Sequence, residues 1–239
     1  MPVLIYPLSD QARLVFIDRA IDTAKKDKAN NHHYLTDETL ASAEAVIPGF
    51  RTAQNVVTTK LSERSLELDQ KNTALNRLET HIRDAWEIIK RRVHRLNEPA
   101  QVLTYYQLPL SGSVPKPSNN EAWLDIAQKV IAGDAEAVAK GYASLACPTV
   151  AEIQAALDEA TKESGDVAIA DRDYDQAQET VEQLRPQVDE VIGQIIADLR
   201  YFLRKKDEAS MRRIMKTYGV TFRYLQGEPI EEEPAENES

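Results

Sequence analysis

The sequence predicts a mainly α-helical fold: an elongated bundle of two related long helices, with short accessory helices and a small β cap. The 239-residue chain contains 8 Gly, 6% aromatic and 28% charged residues. That composition is typical of long helices and unusual for a β-sandwich. A mean hydropathy of −0.47 also indicates thin, solvent-exposed helices. The third observation is a heptad pattern that occurs twice along the chain.

An internal repeat relates the two predicted long helices. A shift of 106 residues aligns the segment that begins at Leu68 with the segment that begins at Tyr174. Apolar positions coincide while charged positions mostly differ, as expected of two diverged copies of one packing element. The predicted packing seam consists of Leu75, Leu78, Ile82 and Ile89 in the first copy and Val181, Leu184, Val188 and Ile195 in the second.

The apolar period within each copy is seven residues. It runs from Ile47 to Leu96 in the first copy and from Ile153 to Phe202 in the second. A sustained heptad favours coiled-coil packing of two helices of about 50 residues, each roughly 75 Å long. An alternative breaks each copy near Ser62 or near Gly165 into an antiparallel hairpin, because heptads do not exclude a turn.

Shorter elements separate the long helices. Ser9 is the expected N-cap of a first helix, Thr36 or Asp37 is a candidate cap for the helix that follows, and Thr149 is a candidate cap for a later one. A Pro-rich break follows residue 108, and two short helices are expected to meet at Gly133. Apolar runs at residues 2–6, 101–106 and 219–225 are typical of strands, and predict the small sheet.

The expected organisation has five segments. They are an N-terminal strand and helix (1–36), the first long-helix repeat (37–110), a Pro-rich linker with connecting helices (111–148), the second long-helix repeat (149–226) and an acidic tail expected to be disordered (227–239). Six Glu residues lie in the tail, and removing them takes the net charge from −10 to −4. The body is therefore only mildly acidic, and this charge does not exclude anionic partners.

One stretch, from Leu199 to Val220, is strongly basic. Its cations are Arg200, Arg204, Lys205, Lys206, Arg212, Arg213 and Lys216. A similar cluster, at residues 90–95, closes the first long helix. The duplicated placement favours helix termination, because cations offset the negative end of a helix dipole. Nucleic acid is disfavoured because no recognisable binding module is present. A role for these seven residues in binding an anion or another partner stays open.

No pattern predicts catalysis, a cofactor or a metal. Asp171, Asp173, Asp175 and Glu182 match positions of a calcium loop, but Gln176 stands where that loop requires Gly. These carboxylates are therefore expected on a solvated helix face. Cys147 has no accompanying His or Asn motif, and no His-x-x-x-His pair occurs. We expect a non-enzymatic protein.

The resulting functional hypothesis is a helical structural or interaction protein, with itself or a larger assembly as the partner of its coiled-coil-like surfaces. The predicted rod is similar in shape to helical pore-forming toxins and to structural subunits of extracellular or phage-like assemblies. That similarity suggests membrane activity as the alternative, and leaves a membrane surface open as a partner. No apolar run approaches the roughly 18 residues of a membrane span, and no signal peptide is recognisable. These features predict a cytoplasmic location or leaderless export.

Overall fold

The computed structural model describes residues 2–117 and 119–224. Those residues form six helices and one two-stranded sheet, so the prediction of a mainly α-helical fold with two long helices is confirmed. The elements are β1 (Val3–Ile5), α1 (Asp10–Ala29), α2 (Asp37–Leu96), α3 (Val102–Tyr105), α4 (Ala122–Ala139), α5 (Val150–Leu203), α6 (Glu208–Thr217) and β2 (Thr221–Arg223).

The long helices exceed their predicted length. Helix α2 has 60 residues and α5 has 54. Both continue without a break through Ser62 and Gly165, so the hairpin alternative is wrong. Pro48 lies inside α2 and Pro186 inside α5.

Side-chain caps fix where the helices begin. Ser9 caps α1 as predicted. The Thr36 hydroxyl accepts a hydrogen bond of 3.2 Å from the amide of Thr39, at the start of α2. The Thr149 hydroxyl accepts from the amide of Glu152, whose carboxylate accepts from the Thr149 amide at 2.7 Å. This reciprocal arrangement is a capping box, and it satisfies two amides that would otherwise have no helical partner.

Two local predictions are wrong. Residues 101–106 do not form a strand, because their centre is the one-turn helix α3. The sheet instead pairs β1 with β2 in antiparallel fashion, with Leu4 opposite Phe222. Gly133 does not separate two helices, since α4 passes through it without interruption.

The chain divides into two compact units, and each contains one portion of each long helix, which we call a long-helix half although the two portions of α2 differ in length. Unit 1 combines the chain up to Thr59 with the chain from Asp175 onward, and unit 2 is Lys60–Tyr174. This division cuts α2 and α5 in mid-length, whereas the sequence-based segments kept each long helix whole.

Unit 1 packs α1, α6 and the sheet against its two long-helix halves. Its fully buried side chains include Ile17, Phe50, Val188 and Ile195. Two ion pairs fasten α1 to α5: Asp10 accepts from the Arg185 guanidinium at 2.8 and 2.9 Å, and Arg13 donates to Asp189 at 2.7 Å. The hydrogen bond from Arg185 is the main reason that the pKa of Asp10 is lowered.

Unit 2 packs α3 and α4 against the other two halves. Ion pairs join Lys60 to Asp173 at 3.2 Å and Arg77 to Glu159 at 2.8 Å, so α2 and α5 run antiparallel within this unit. The indole nitrogen of Trp86 donates to the carbonyl of Tyr106 at 2.7 Å. This bond satisfies a polar group inside the apolar core.

A buried carboxylate organises the chain that follows α4. Asp134 is 3% exposed, and it accepts hydrogen bonds from the Tyr106 hydroxyl (2.8 Å), the Ser144 hydroxyl (2.6 Å) and the Leu145 amide (2.9 Å). These three donors come from Tyr106, which directly follows α3, and from the loop between α4 and α5. Asp134 therefore links both segments to α4.

Gly133 permits the close crossing of α3 and α4. A Cβ atom at this position would lie 1.6 Å from the Tyr105 carbonyl oxygen. Gly165, in contrast, has no atom within 4 Å of the position a Cβ would take. The two helical glycines therefore form a matched pair for a test of packing.

We expect Gly133→Ala to destabilise the protein by about 3 kcal/mol, because α3 would have to move away from α4. Gly165→Ala should raise stability by about 1 kcal/mol, since it only improves helix propensity. Denaturant unfolding of both variants measures these changes. Equal effects of the two substitutions would contradict the close crossing.

A second prediction concerns the buried carboxylate. Asp134→Ala should cost about 3 kcal/mol, because the Tyr106 hydroxyl and the Leu145 amide lose their acceptor in a buried site. The control is Asp125→Ala on the same helix, which removes only an exposed pair with Lys129 and should cost about 0.5 kcal/mol. A loss in the Asp134 variant no larger than the control's would show that water reaches these donors.

Alkaline pH provides a third test. Burial, followed by the hydrogen bond to Asp134, raises the pKa of Tyr106 from 10.0 to about 12. The neutral phenol is favoured in the folded state, so its contribution is complete below pH 10 and is lost as the pH rises through about 12. Tyr106→Phe, which cannot ionise, should reduce the fall in unfolding free energy over this range. An unchanged slope would contradict the raised pKa of Tyr106. Part of the fall in unfolding free energy should persist in the variant, because the pKa of Tyr218 is also raised.

Candidate functional site

The basic stretch begins at the end of α5 in unit 1. Arg200, Arg204, Lys205 and Lys206 are exposed there. The Arg204 guanidinium donates to the carbonyl of Tyr201 at 2.7 Å and lies 4.0 Å from the centre of the Tyr201 ring. A cation on a terminal carbonyl group stabilises the negative end of a helix.

The remaining cations of the stretch lie on α6. Arg212 pairs with Glu208 at 3.1 Å, Arg213 donates to the Ser210 hydroxyl at 3.1 Å, and Lys216 lies over the ring of Tyr224. Each of these side chains is engaged by a neighbour in the same unit. The geometry therefore gives them local structural contacts.

The predicted seam residues pack inside the units. Leu75, Leu78, Ile82 and Ile89 are buried in the core of unit 2. Val181, Val188 and Ile195 are buried in the core of unit 1, and Leu184 is partly buried against it. These side chains are covered by their own chain.

A cavity of about 510 Å³ lies against the last turns of α2 in unit 2. The described part of its lining consists of Ile88, Arg91, Arg92, Arg95 and Leu96, and we call it the arginine cavity. Three arginines and two apolar residues thus line one space. Within the described residues, neither Arg91 nor Arg95 has a carboxylate within the 4.0 Å of an ion pair.

Arg92 is held in place by unit 2. Its guanidinium donates to Glu98 at 3.2 Å and to the carbonyl of Ala143, and it lies 5.9 Å from the centre of the Tyr106 ring. Its Nη2 atom is buried with no hydrogen-bond acceptor among the described residues. A buried, unfilled donor of this kind costs about 1–3 kcal/mol. The network around Asp134 supports Arg92 through Tyr106 and the 140–149 loop.

A second cavity, of about 390 Å³, adjoins the first and shares Ile88 and Arg91 with it. The rest of its described lining is His81, Asp84, Glu87, Cys147, Pro148 and Glu152. Two of the carboxylates are already engaged: Glu87 pairs with Lys90 at 2.9 Å, and Glu152 belongs to the capping box. These contacts lower the pKa of both Glu87 and Glu152. The exposed thiol of Cys147 makes no hydrogen bond to His81 within the described residues.

An acidic cluster lies elsewhere in unit 2. Carboxylate oxygens of Glu67, Glu163 and Asp166 lie within 4.8 Å of one another. Lys162 pairs with Glu163 at 2.9 Å and with Asp166 at 3.2 Å, so a cation of the chain already offsets this charge. The candidate calcium-loop residues Asp171 and Asp173 are helical and pair with Arg64 and Lys60 respectively.

Exposed apolar side chains concentrate near the start of the chain, in unit 1. They are Val3, Ile5, Tyr6, Leu8 and Val15, and we call them the N-terminal apolar surface. Leu8 is 85% exposed and Val15 is 54% exposed. Strand β1 turns Leu4 inward against the core and presents Val3 and Ile5 outward. The outer face of the small sheet is therefore apolar along β1.

A groove of about 240 Å³ borders this surface. Ile5, Pro7, Val15 and Phe16 form its apolar walls, and Gly219 lies beside Phe16. A groove with apolar walls, next to exposed apolar side chains, is a typical feature of a protein contact.

Comparison with known proteins gives no match: no family model, no curated protein and no solved structure is significantly similar to this chain. Within the described residues, no helix combines the length and apolar character needed to cross a membrane. Functional conclusions therefore rest on the residues of this chain.

Sequence reasoning named some of these features and missed others. It identified the cluster at residues 90–95 only as a helix end, because the cavity against α2 leaves no mark in the heptad pattern. It interpreted residues 2–6 as a strand without noting that its outer face is uncharged. The signal was present: Pro2 and Pro7 flank an apolar run, and Leu8 follows before the helix cap.

Proposed function

We propose that this protein is a non-enzymatic interaction protein that self-associates through its N-terminal apolar surface. The exposure of five apolar side chains between Val3 and Val15 carries this proposal. Single exposed apolar residues are ordinary on soluble proteins, but a contiguous group beside a groove indicates a contact surface.

The mode of self-association differs from the one the heptads suggested. Coiled-coil packing of seam residues against a second copy would require those residues to be exposed. Most of the eight are buried in the core of their own unit. The heptads therefore serve packing within the chain, and the N-terminal apolar surface is left for a partner.

A second copy fits this surface better than an unrelated protein. A sheet of two three-residue strands is marginal on its own, and each of its strands is an edge. Soluble proteins commonly protect edge strands with charged side chains, and β1 has none. Antiparallel pairing of β1 with β1 of a second copy would form a four-stranded sheet by a twofold axis, with the same patch used on both sides.

We also infer that the chain contains a duplicated pair of helices, one short and one long, which is a different division from units 1 and 2. The described order supports this: α1 and α2 have 20 and 60 residues, and α4 and α5 have 18 and 54. Equivalent seam positions have similar burial, as in the pairs Leu75 with Val181 and Ile82 with Val188. Each short helix packs against long-helix halves of its own unit.

The self-association proposal predicts a specific effect of polar substitutions. The paired change Leu8→Gln and Val15→Gln should abolish dimer formation, because it replaces two apolar contacts on the N-terminal surface with polar groups. Sedimentation velocity over a wide range of concentration measures it: the native chain should approach twice its mass of 26.9 kDa, and the variant should remain a monomer.

Val56→Gln with Leu66→Gln is the matched control. Those side chains are 43% and 56% exposed on α2, outside the proposed contact, so the control should dimerise like the native chain. A native chain that stays monomeric at every concentration would overturn the proposal. Equal loss of dimer in the control would show that the N-terminal surface has no special part.

A further inference from the structure

We propose that the arginine cavity binds the phosphate group of an organic molecule. Arg91, Arg92 and Arg95 line the same space, and its described lining contains no carboxylate. Guanidinium groups present paired donors that match the oxygens of a phosphate, and charge-assisted bonds of this kind are the stronger ones. The proposal does not depend on self-association, because the cavity belongs to unit 2 and the N-terminal apolar surface to unit 1.

The position at a helix end does not oppose an anion here. The carbonyl end of a helix is equivalent to about half a negative charge. The three positive charges of Arg91, Arg92 and Arg95 exceed this partial negative charge several times over. Glu98, which pairs with Arg92, offsets one of the three, and it leaves Arg91 and Arg95 as the principal contacts.

Arg92 contributes through its rigidity. Its bonds to Glu98 and Ala143 and its position over the Tyr106 ring fix one wall of the cavity before any ligand arrives. A fixed wall lowers the ordering cost of binding. Arg91 and Arg95 are exposed and have no ion pair among the described residues, so they are free to turn toward a ligand.

The size of the cavity indicates more than an inorganic ion. A volume of about 510 Å³ lies in the range that holds a small organic ligand. Ile88 and Leu96 supply apolar contact for the organic part, and Leu96 is 64% exposed without a ligand. The carboxylates of the adjoining cavity repel a phosphate, so they favour its placement on the arginine side.

The test is a titration of the full-length protein with glycerol 3-phosphate and, separately, with inorganic phosphate. Calorimetry gives the affinities, and the Nε–Hε resonances of the arginines report which side chains respond. We expect saturable binding of both, with the ester binding more tightly. The paired change Arg91→Gln and Arg95→Gln should weaken binding by about tenfold or more, because it removes the two principal charge-assisted contacts.

The control is Arg172→Gln, an exposed arginine of α5 in the same unit. It should leave the affinity unchanged, and circular dichroism should show that all variants keep their helices. Equal weakening by the control would mean that the binding is nonspecific charge attraction, and this would overturn the proposal. The proposal would also be overturned if neither phosphate compound, nor the lipid vesicles described next, showed saturable binding.

A lipid headgroup is the other source of the same chemistry. Vesicles of phosphatidylcholine, with and without phosphatidic acid, distinguish it from a free ester. Binding to phosphatidic acid vesicles that is lost in the Arg91→Gln, Arg95→Gln variant, without binding of glycerol 3-phosphate, would support the site and assign it to a lipid. Binding of the free ester with no response to vesicles would assign it to a small molecule.

Discussion

Two long helices packed side by side cover only one stripe of each other, and the fold depends on short elements that cover the rest. In unit 2, Trp123, Ala127 and Val130 of α4 are buried against the long-helix halves. In unit 1, Ile17 and Ala20 of α1 do the same. Full burial of a Val or Ile side chain, such as Val130 or Ile17, contributes about 1.5–3 kcal/mol, so the short helices add substantially to the stability of each unit.

The polar contacts of the two units differ in kind, and the difference follows from burial. Unit 1 fastens α1 to α5 with partly exposed ion pairs, of which Asp10 with Arg185 is the most enclosed. Unit 2 has exposed or partly exposed ion pairs between α2 and α5 as well, and in addition it buries the carboxylate of Asp134 among three donors. A buried carboxylate tolerates no missing partner, so it specifies the position of α3 and of the loop after α4 more strictly than a surface pair would.

The heptad period predicted two long helices, because a stripe repeated every seven residues is typical of packed long helices. It did not exclude a turn near Ser62 or Gly165, and only the structure shows that both helices are continuous there. Helix caps at Ser9, Thr36 and Thr149 were also predictable from local chemistry. The division of each long helix between two cores was not, since it depends on where α1 and α4 pack. Likewise, the local sequence does not show whether Gly133 ends a helix or lies within one. Its reason is the close approach of the Tyr105 carbonyl, which only the structure reveals.

The candidate sites also depend on tertiary packing that the local sequence does not show. Cation counting selected Arg200 to Lys216, yet four of those side chains already contact neighbouring groups: Arg204, Arg212, Arg213 and Lys216. The arginines at 91–95 have a similar density in the sequence, but within the described residues Arg91 and Arg95 lack ion pairs, and both line one cavity together with Arg92. Binding requires cations that converge and remain unpaired, and both properties are set by tertiary packing. A basic stretch is therefore weak evidence for a site until the fold shows which of its charges are already neutralised.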